Sequence, residues 1–189
     1  MIVIQNPRIR RVLGAALPFG VIPALVAGGV FLWGQKYYAL TALMVAAAAL
    51  LLFITGFEQK KTGARRLVAT AVLTALSVAG RFIPLFKPVA AMSILTGMTL
   101  GGEAGFLVGA LSALLSNFYF GQGPWTPFQM LAWGAVGLFA GLLKRPLSAS
   151  RVLLLVYGAL SGVFFSFLMD VWTVLWYAGG WSPAAYAAA

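Results

Sequence analysis

Asn117, Gln122, Trp125 and Gln129 lie in one stretch, Ser116-Asn-Phe-Tyr-Phe-Gly-Gln-Gly-Pro-Trp-Thr-Pro-Phe-Gln129. Amide groups give directional hydrogen bonds, aromatic faces give flat contact area, and Gly and Pro hold a loop in one shape. Together these are the means of a small-molecule binding site. The same chain has little with which to make or break bonds. It has no Cys and no His, and its acids are Glu58, Glu103 and Asp170 alone. Thiolate chemistry, disulfides and the usual zinc ligands are excluded, no carboxylates cluster, and neither a metal nor a cofactor is expected. No Gly-x-x-x-x-Gly-Lys-[Ser/Thr] loop is present to grip ATP phosphates. Uptake against a gradient would therefore draw its energy from a partner or from an ion.

The elements that position these residues are apolar. Of 189 residues 62% are hydrophobic and 8% charged, and the mean hydropathy is +0.97, which excludes a soluble domain and predicts an all-α integral membrane bundle. Crossing ~30 Å of hydrocarbon takes ~20 residues. About seven spans are read, over Val12–Trp33, Tyr38–Phe57, Leu67–Ile83, Val89–Leu100, Ala104–Phe120, Thr126–Leu143 and Val152–Tyr177. The fourth is short and broken by Pro88 and Gly97, so it is expected to be tilted, re-entrant or shielded by its neighbours.

A net charge of +10 would suggest nucleic acid in a soluble protein, but here the charges fall at helix ends and no nucleic-acid partner is expected. Arg8, Arg10, Arg11, Lys60, Lys61, Arg65, Arg66, Lys144, Arg145 and Arg151 share the side of the N-terminus; Lys36, Arg81 and Lys87 lie on the other. The positive-inside rule makes the N-terminus cytoplasmic and turns the amide and aromatic stretch outward. The first segment is too long, and lacks the cleavage pattern, for a removed signal peptide.

The polar stretch Glu58–Arg66 divides the chain into a two-helix membrane extension, residues 1–60, and a glycine-rich core, residues 61–189. In the extension, Thr41 and Thr55 are expected to bond to their own backbone. Ser182-Pro183 reads as a helix start, so the last core helix is expected to be missing from this chain. Small residues recur at four-residue spacing along the core, as in close helix packing. The lines are Ala71, Ala75 and Ala79; Gly105, Gly109 and Ala113; Gly137 and Gly141; and Gly158, Gly162, Ser166 and Asp170.

The fourth line turns Asp170 toward protein or a wet cavity, since a carboxylate in lipid is costly. Counting ~1.5 Å per residue puts Asp170 and Arg81 at similar depth, either as an ion pair or as two ligands of one polar substrate. Trp125 suits ligand stacking or a membrane-interface belt. Gln122 and Gln129 suit ligand or loop bonding, and Asn117 suits the site or the carbonyls that end its helix. Trp172, Trp176 and Trp181 read mainly as interface aromatics, and Glu103 as a carboxylate favoured at a helix start.

Three segments carry a family resemblance: Arg65-Arg-Leu-Val-Ala-Thr-Ala-Val-Leu-Thr-Ala-Leu76, Gly101-Gly-Glu-Ala-Gly-Phe-Leu-Val-Gly-Ala-Leu-Ser-Ala-Leu-Leu-Ser-Asn117, and Phe120-Gly-Gln-Gly-Pro-Trp-Thr-Pro-Phe-Gln-Met130. From Arg65 onward the chain resembles the S component, the substrate-binding membrane subunit, of an energy-coupling factor (ECF) vitamin transporter. The resemblance implies a six-helix core that binds a vitamin or vitamin precursor near its outer face in a bacterial plasma membrane. Its partners would be a transmembrane coupling subunit and two ATP-hydrolysing subunits, with no catalysis of its own. It implies docking through Ala71, Ala75 and Ala79, and a substrate near the Asn117–Gln129 stretch and the outer end of the Asp170 helix; with Arg81 from the depth argument, the candidate contacts are Arg81, Asn117, Tyr119, Gln122, Trp125, Gln129 and Asp170. A cobalamin-like substrate is favoured, with riboflavin-like vitamins as alternatives. A stand-alone secondary transporter or channel, or an intramembrane enzyme, is the competing reading.

Overall fold

The computed structural model describes residues 6–32, 35–56, 63–84 and 87–177, with 184 and 186. Asn6 starts α1 (Pro7–Ala16): its side-chain oxygen accepts from the backbone N–H of Arg8 at 2.9 Å and of Ile9 at 3.4 Å, with Pro7 at the first position. A π-helical turn, Leu17–Val21, joins α1 to α2 (Ile22–Phe31) at Pro18, which has no N–H to continue the regular ladder. Then follow α3 (Tyr38–Thr55), α4 (Gly63–Gly80), α5 (Val89–Leu100), α6 (Gly102–Phe120), α7 (Trp125–Leu142), α8 (Lys144–Ala149) and α9 (Arg151–Tyr177). Among the described residues there is no strand.

Among the described residues four helices are long and apolar enough to cross a membrane: Pro7–Gly29, Tyr38–Thr55, Gly102–Phe120 and Arg151–Leu175. The other expected spans form helices of a different character. Helices α4 and α7 have 18 residues each, but Arg65, Arg66 and Ser77 in one, and Gln129 and Pro127 in the other, dilute their apolarity. At 12 residues α5 is short, as its sequence suggested, and it is shielded: Val89, Ser93, Thr96 and Gly97 are buried against α6 and α7. The short α8 was not anticipated. Ser182-Pro183, on which the expectation of a missing helix rested, and Trp181 lie outside the described residues, as does the side chain of Trp176.

Glycine sets the spacing of the centre. A Cβ on Gly105 would strike the backbone of Gly137 and Gly97, one on Gly109 would strike the carbonyl of Trp133, and one on Gly141 would strike Gly102. The second and third small-residue lines are thus one contact surface, on which α6 and α7 approach backbone to backbone. The fourth line behaves differently. Nothing lies within 4 Å of a Cβ built on Gly158 or Gly162, and Ser166 is exposed, so this face of α9 is not turned toward protein among the described residues. Helix α9 instead docks through Tyr157, whose hydroxyl donates to the Val136 carbonyl at 2.6 Å, and through Phe165 and Trp172.

On α4, Ala71, Ala75 and Ala79 are exposed while Thr70, Thr74 and Ser77 are buried. Thr70 and Thr74 donate to the Arg66 and Thr70 carbonyls at 2.8 and 2.9 Å, as Thr41 and Thr55 do to their own helix. Arg66 ties three helices together. It donates to the carbonyl of Gly56, the C-cap of α3, and to Glu103 Oε2 at 3.2 Å at the start of α6. Glu103 therefore has an ion-pair partner as well as its helix dipole. Val45, Leu52 and Phe53 of α3 share one apolar cluster with Ala104, Phe106 and Leu107 of α6.

Candidate functional site

Helices α4 and α6 run parallel, paired at one end by Arg66 and Glu103 and at the other by Arg81 and Asn117. Gly121 ends α6 at φ +105°, a conformation that excludes most side chains. The chain then crosses to α7 in four residues, bringing Gln122, Thr126 and Gln129 over the last turn of α6.

Asn117, 2% exposed, is the hub. Its amide donates to Thr126 Oγ1 at 3.0 Å and to Gln129 Oε1 at 2.8 Å, and its oxygen accepts from Arg81 Nη1 at 3.2 Å. Both of its amide hydrogens are used, and neither goes to a helix-end carbonyl. Thr126 donates to Gln122 Oε1 at 3.0 Å and accepts from the Gly123 N–H at 3.3 Å, while Gln122 Nε2 donates to the Leu114 carbonyl at 2.9 Å. Gln122 therefore holds the loop. Gln129 differs: its oxygen is taken by Asn117, and its Nε2 has no hydrogen-bond partner among the described residues.

Arg81, the residue after α4, also donates to Ser116 Oγ, which in turn donates to the Ser112 carbonyl. All its hydrogen bonds run through Nη1; Nη2 and Nε make none among the described residues. Its Cζ lies over two rings, 4.9 Å from the Phe120 centroid and 5.2 Å from that of Trp133. Trp133 stacks on Phe165 at 4.7 Å and 14°. Phe82, Tyr119 and Phe120 make an outer aromatic group with centroids 4.6 to 5.2 Å apart, and Tyr119 is 71% exposed.

Of the two readings of Arg81 and Asp170, the ion pair is absent among the described residues. Asp170 is half-exposed on α9, and Arg81 is engaged by α6. Trp125 belongs to another part of the surface: its ring lies on Gly123, where a Cβ would collide with it, and meets Trp172 edge-on at 5.8 Å. Arg81, Asn117, Gln122 and Gln129 are thus brought together, with Tyr119 at the rim and with Trp125 and Asp170 toward α9. Ser116, Phe120, Thr126 and Trp133 complete the site unforeseen. Trp133 had one sequence signal, its place one turn after Gln129 on the same face.

The assembly offers guanidinium and amide donors beside aromatic faces, with no acid or base against them among the described residues. Among the described residues no three His, Cys, Asp or Glu side chains group as metal ligands. Such a combination of donors and flat apolar faces is of the kind that can bind a flat, acceptor-bearing molecule. A second feature lies toward the other end of the bundle, where an apolar groove of about 310 Å³ between α3 and α4 is walled by Ala71 and Ala75 and floored by Leu107 and Leu111.

A comparison with protein families matches residues 61–188 to the family described as ECF-type riboflavin transporter, S component. Searches of curated proteins and of solved structures each found no match. The family is one of transport subunits rather than catalysts, and the cobalamin preference drawn from the sequence gains no support from a match whose description names riboflavin. With two thirds of its length matched, from the basic start of α4 onward, the chain belongs to the S-component family of ECF-type riboflavin transporters.

Proposed function

We propose that this chain captures riboflavin, or a flavin with the same ring system, at the Arg81 end of the bundle and passes it inward when docked on an ATP-driven coupling module. The observation that carries the reading is the donor set of Arg81 and Gln129, held by Asn117 beside the rings of Phe120 and Trp133. A flavin ring is flat and carries carbonyl and ring-nitrogen acceptors along one edge. Guanidinium and amide donors suit that edge, and aromatic faces suit its plane. In this reading Arg81, Gln129 and Tyr119 face the ligand, Asn117 and Gln122 hold them in place, and Trp125 and Asp170 form the rim toward α9.

Residues 61–189 act as the substrate-binding core and residues 1–60 as an added membrane extension. The exposed Ala71, Ala75 and Ala79 line meets a helix of the coupling subunit, since small residues allow close approach of a partner. The excess of positive charge on the N-terminal side supports a cytoplasmic N-terminus, with the site toward the outer face of a bacterial plasma membrane.

The test begins with the purified full chain: mass spectrometry of co-purified small molecules, then titration with riboflavin followed by quenching of flavin fluorescence. Proteoliposomes holding the chain with its coupling and ATP-hydrolysing subunits should then accumulate riboflavin only with ATP. Absence of flavin binding together with absence of ATP-dependent uptake overturns the reading.

A further inference from the structure

We infer that the capture site extends one helical turn inward, between α4 and α6, as a subsite for a hydroxyl oxygen held by Ser77 and Ser112. Both side chains are 0% exposed, and neither hydroxyl has a hydrogen-bond partner among the described residues. Their neighbours behave otherwise. Thr70, Thr74, Ser93, Thr96 and Ser116 each donate to the carbonyl one turn back on their own helix, a retreat open to any helical serine or threonine. Ser77 and Ser112 do not take it.

The two serines belong to one layer. Arg66 meets Glu103 across an offset of 37 residues and Arg81 meets Ser116 across 35. Ser77, one turn before Arg81, therefore comes level with Ser112, one turn before Ser116. The contact between these helices is also of the looser kind. Helix α4 has no glycine between Gly63 and Gly80, so side chains set its distance from α6, whereas α7 meets α6 backbone to backbone.

Buried hydroxyls, each with a hydrogen to give and lone pairs to fill, suit a guest that both gives and accepts. A hydrocarbon guest would leave them unsatisfied, and an ion would bring a charge that nothing in this layer balances. What fits is a hydroxyl oxygen: a buried water, or a hydroxyl of the polyol chain that riboflavin carries. The second source rests on the flavin reading, and the first does not. A ring edge held at the level of Arg81 and Gln129 lies one turn, ~5.4 Å, from this layer, a distance that a polyol chain spans. Ser116 links the two levels, since it accepts from Arg81 and donates to the Ser112 carbonyl.

Ser77→Ala, Ser112→Ala and the double variant are compared with the natural full chain in two measurements. The first is thermal unfolding without ligand. A resident water shared by both serines makes the cycle non-additive, the double variant losing less than the sum of the single variants. Hydroxyls without a guest give additive changes, and each alanine then leaves the melting temperature equal or higher, since an unsatisfied group has gone. The second measurement is fluorescence titration with riboflavin and with lumichrome, the flavin tricycle without the polyol. A polyol guest makes the alanines weaken riboflavin binding by up to about tenfold each, the worth of one hydrogen bond, while lumichrome binding holds. A non-additive cycle with an unchanged riboflavin-to-lumichrome ratio assigns the subsite to water, and a lowered ratio assigns it to the polyol. Additive unfolding together with an unchanged ratio overturns the subsite, as does additive unfolding in a chain that binds neither flavin. A non-additive cycle in a chain that binds neither flavin supports the subsite and overturns the riboflavin assignment alone.

Discussion

Asn117 donates to Gln129 at 2.8 Å from a position 2% exposed, across the loop that joins α6 to α7. This bond sets the orientation of the Gln129 amide: its oxygen is turned to Asn117, and in the proposed function its nitrogen is the end that meets the flavin. Asn117→Ala removes that bond together with those to Thr126 and Arg81, stranding polar groups in a closed space. Truncation that leaves buried partners unsatisfied costs about 1–3 kcal/mol. The variant is expected to unfold at lower temperature in detergent and to bind flavin at least about tenfold more weakly, a loss of ~1.4 kcal/mol.

Asn117→Asp separates the hub's two roles. The carboxylate still accepts from Arg81, now with opposite charge, but has no hydrogens to give Thr126 or Gln129. Its expected outcome is near-natural thermal stability with weakened flavin binding, because Gln129 is no longer held nitrogen outward. Equal binding by Asn117→Asp and the natural chain, measured by flavin fluorescence, would remove Asn117 from the positioning role.

Much of this was legible before any coordinates. The lines Gly105, Gly109 and Gly137, Gly141 mark a face by spacing alone, and close packing is the use that backbone contact makes of glycine. The convergence of Asn117, Gln122 and Gln129 follows from a short connection between two helices. What spacing cannot supply is azimuth between elements distant in sequence. Arg81 and Asp170 were paired by depth, but depth leaves rotation about each axis free, and Arg81 faces Ser116 and Asn117 on α6. The Gly158, Gly162 and Ser166 line shows the same limit: its period identifies a face without saying what covers it. Trp133 is hard to single out by sequence, because an aromatic in an apolar helix looks like core unless a guanidinium lies against it.

The two kinds of glycine line predict opposite responses. Gly137→Leu places a side chain where the Gly105 carbonyl and Cα lie, and α6 and α7 must separate along their whole contact, a change expected to cost at least the 1–3 kcal/mol of ordinary overpacking. A Cβ on Gly162 meets nothing within 4 Å among the described residues, so Gly162→Leu should leave thermal unfolding of the isolated chain nearly unchanged. A comparable loss from both variants would mean that α9 carries a contact on that face.

Arg66 and Glu103 test how the α3 end is joined to the core. The pair is partly exposed, at 15% and 34%, so Glu103→Gln should cost no more than about 1 kcal/mol and lose its effect in high salt. Arg66→Ala should cost more, because it also strips the Gly56 carbonyl of its donor at the C-terminus of α3. Denaturant unfolding at low and high salt separates the two contributions: the Glu103 part should vanish with salt and the Gly56 part should persist.

If the Ala71, Ala75 and Ala79 face docks the coupling subunit as proposed, mutation there should separate ligand binding from energised transport. These alanines are exposed on the isolated chain, and Ala71 and Ala75 wall the apolar groove between α3 and α4, away from the Arg81 end. Ala71→Trp projects a large side chain from a surface that, in the proposed assembly, must come within small-residue distance of a partner helix. Riboflavin titration of the isolated variant should therefore match the natural chain, while ATP-dependent uptake in proteoliposomes with the coupling module should fall at least about tenfold, the penalty of a docking contact weakened by ~1.4 kcal/mol. Co-purification with the coupling subunit should fall in parallel. Undiminished uptake by Ala71→Trp and Ala75→Trp would place the docking surface elsewhere, and the exposed Gly158, Gly162 and Ser166 face of α9 would be the next to probe in the same way.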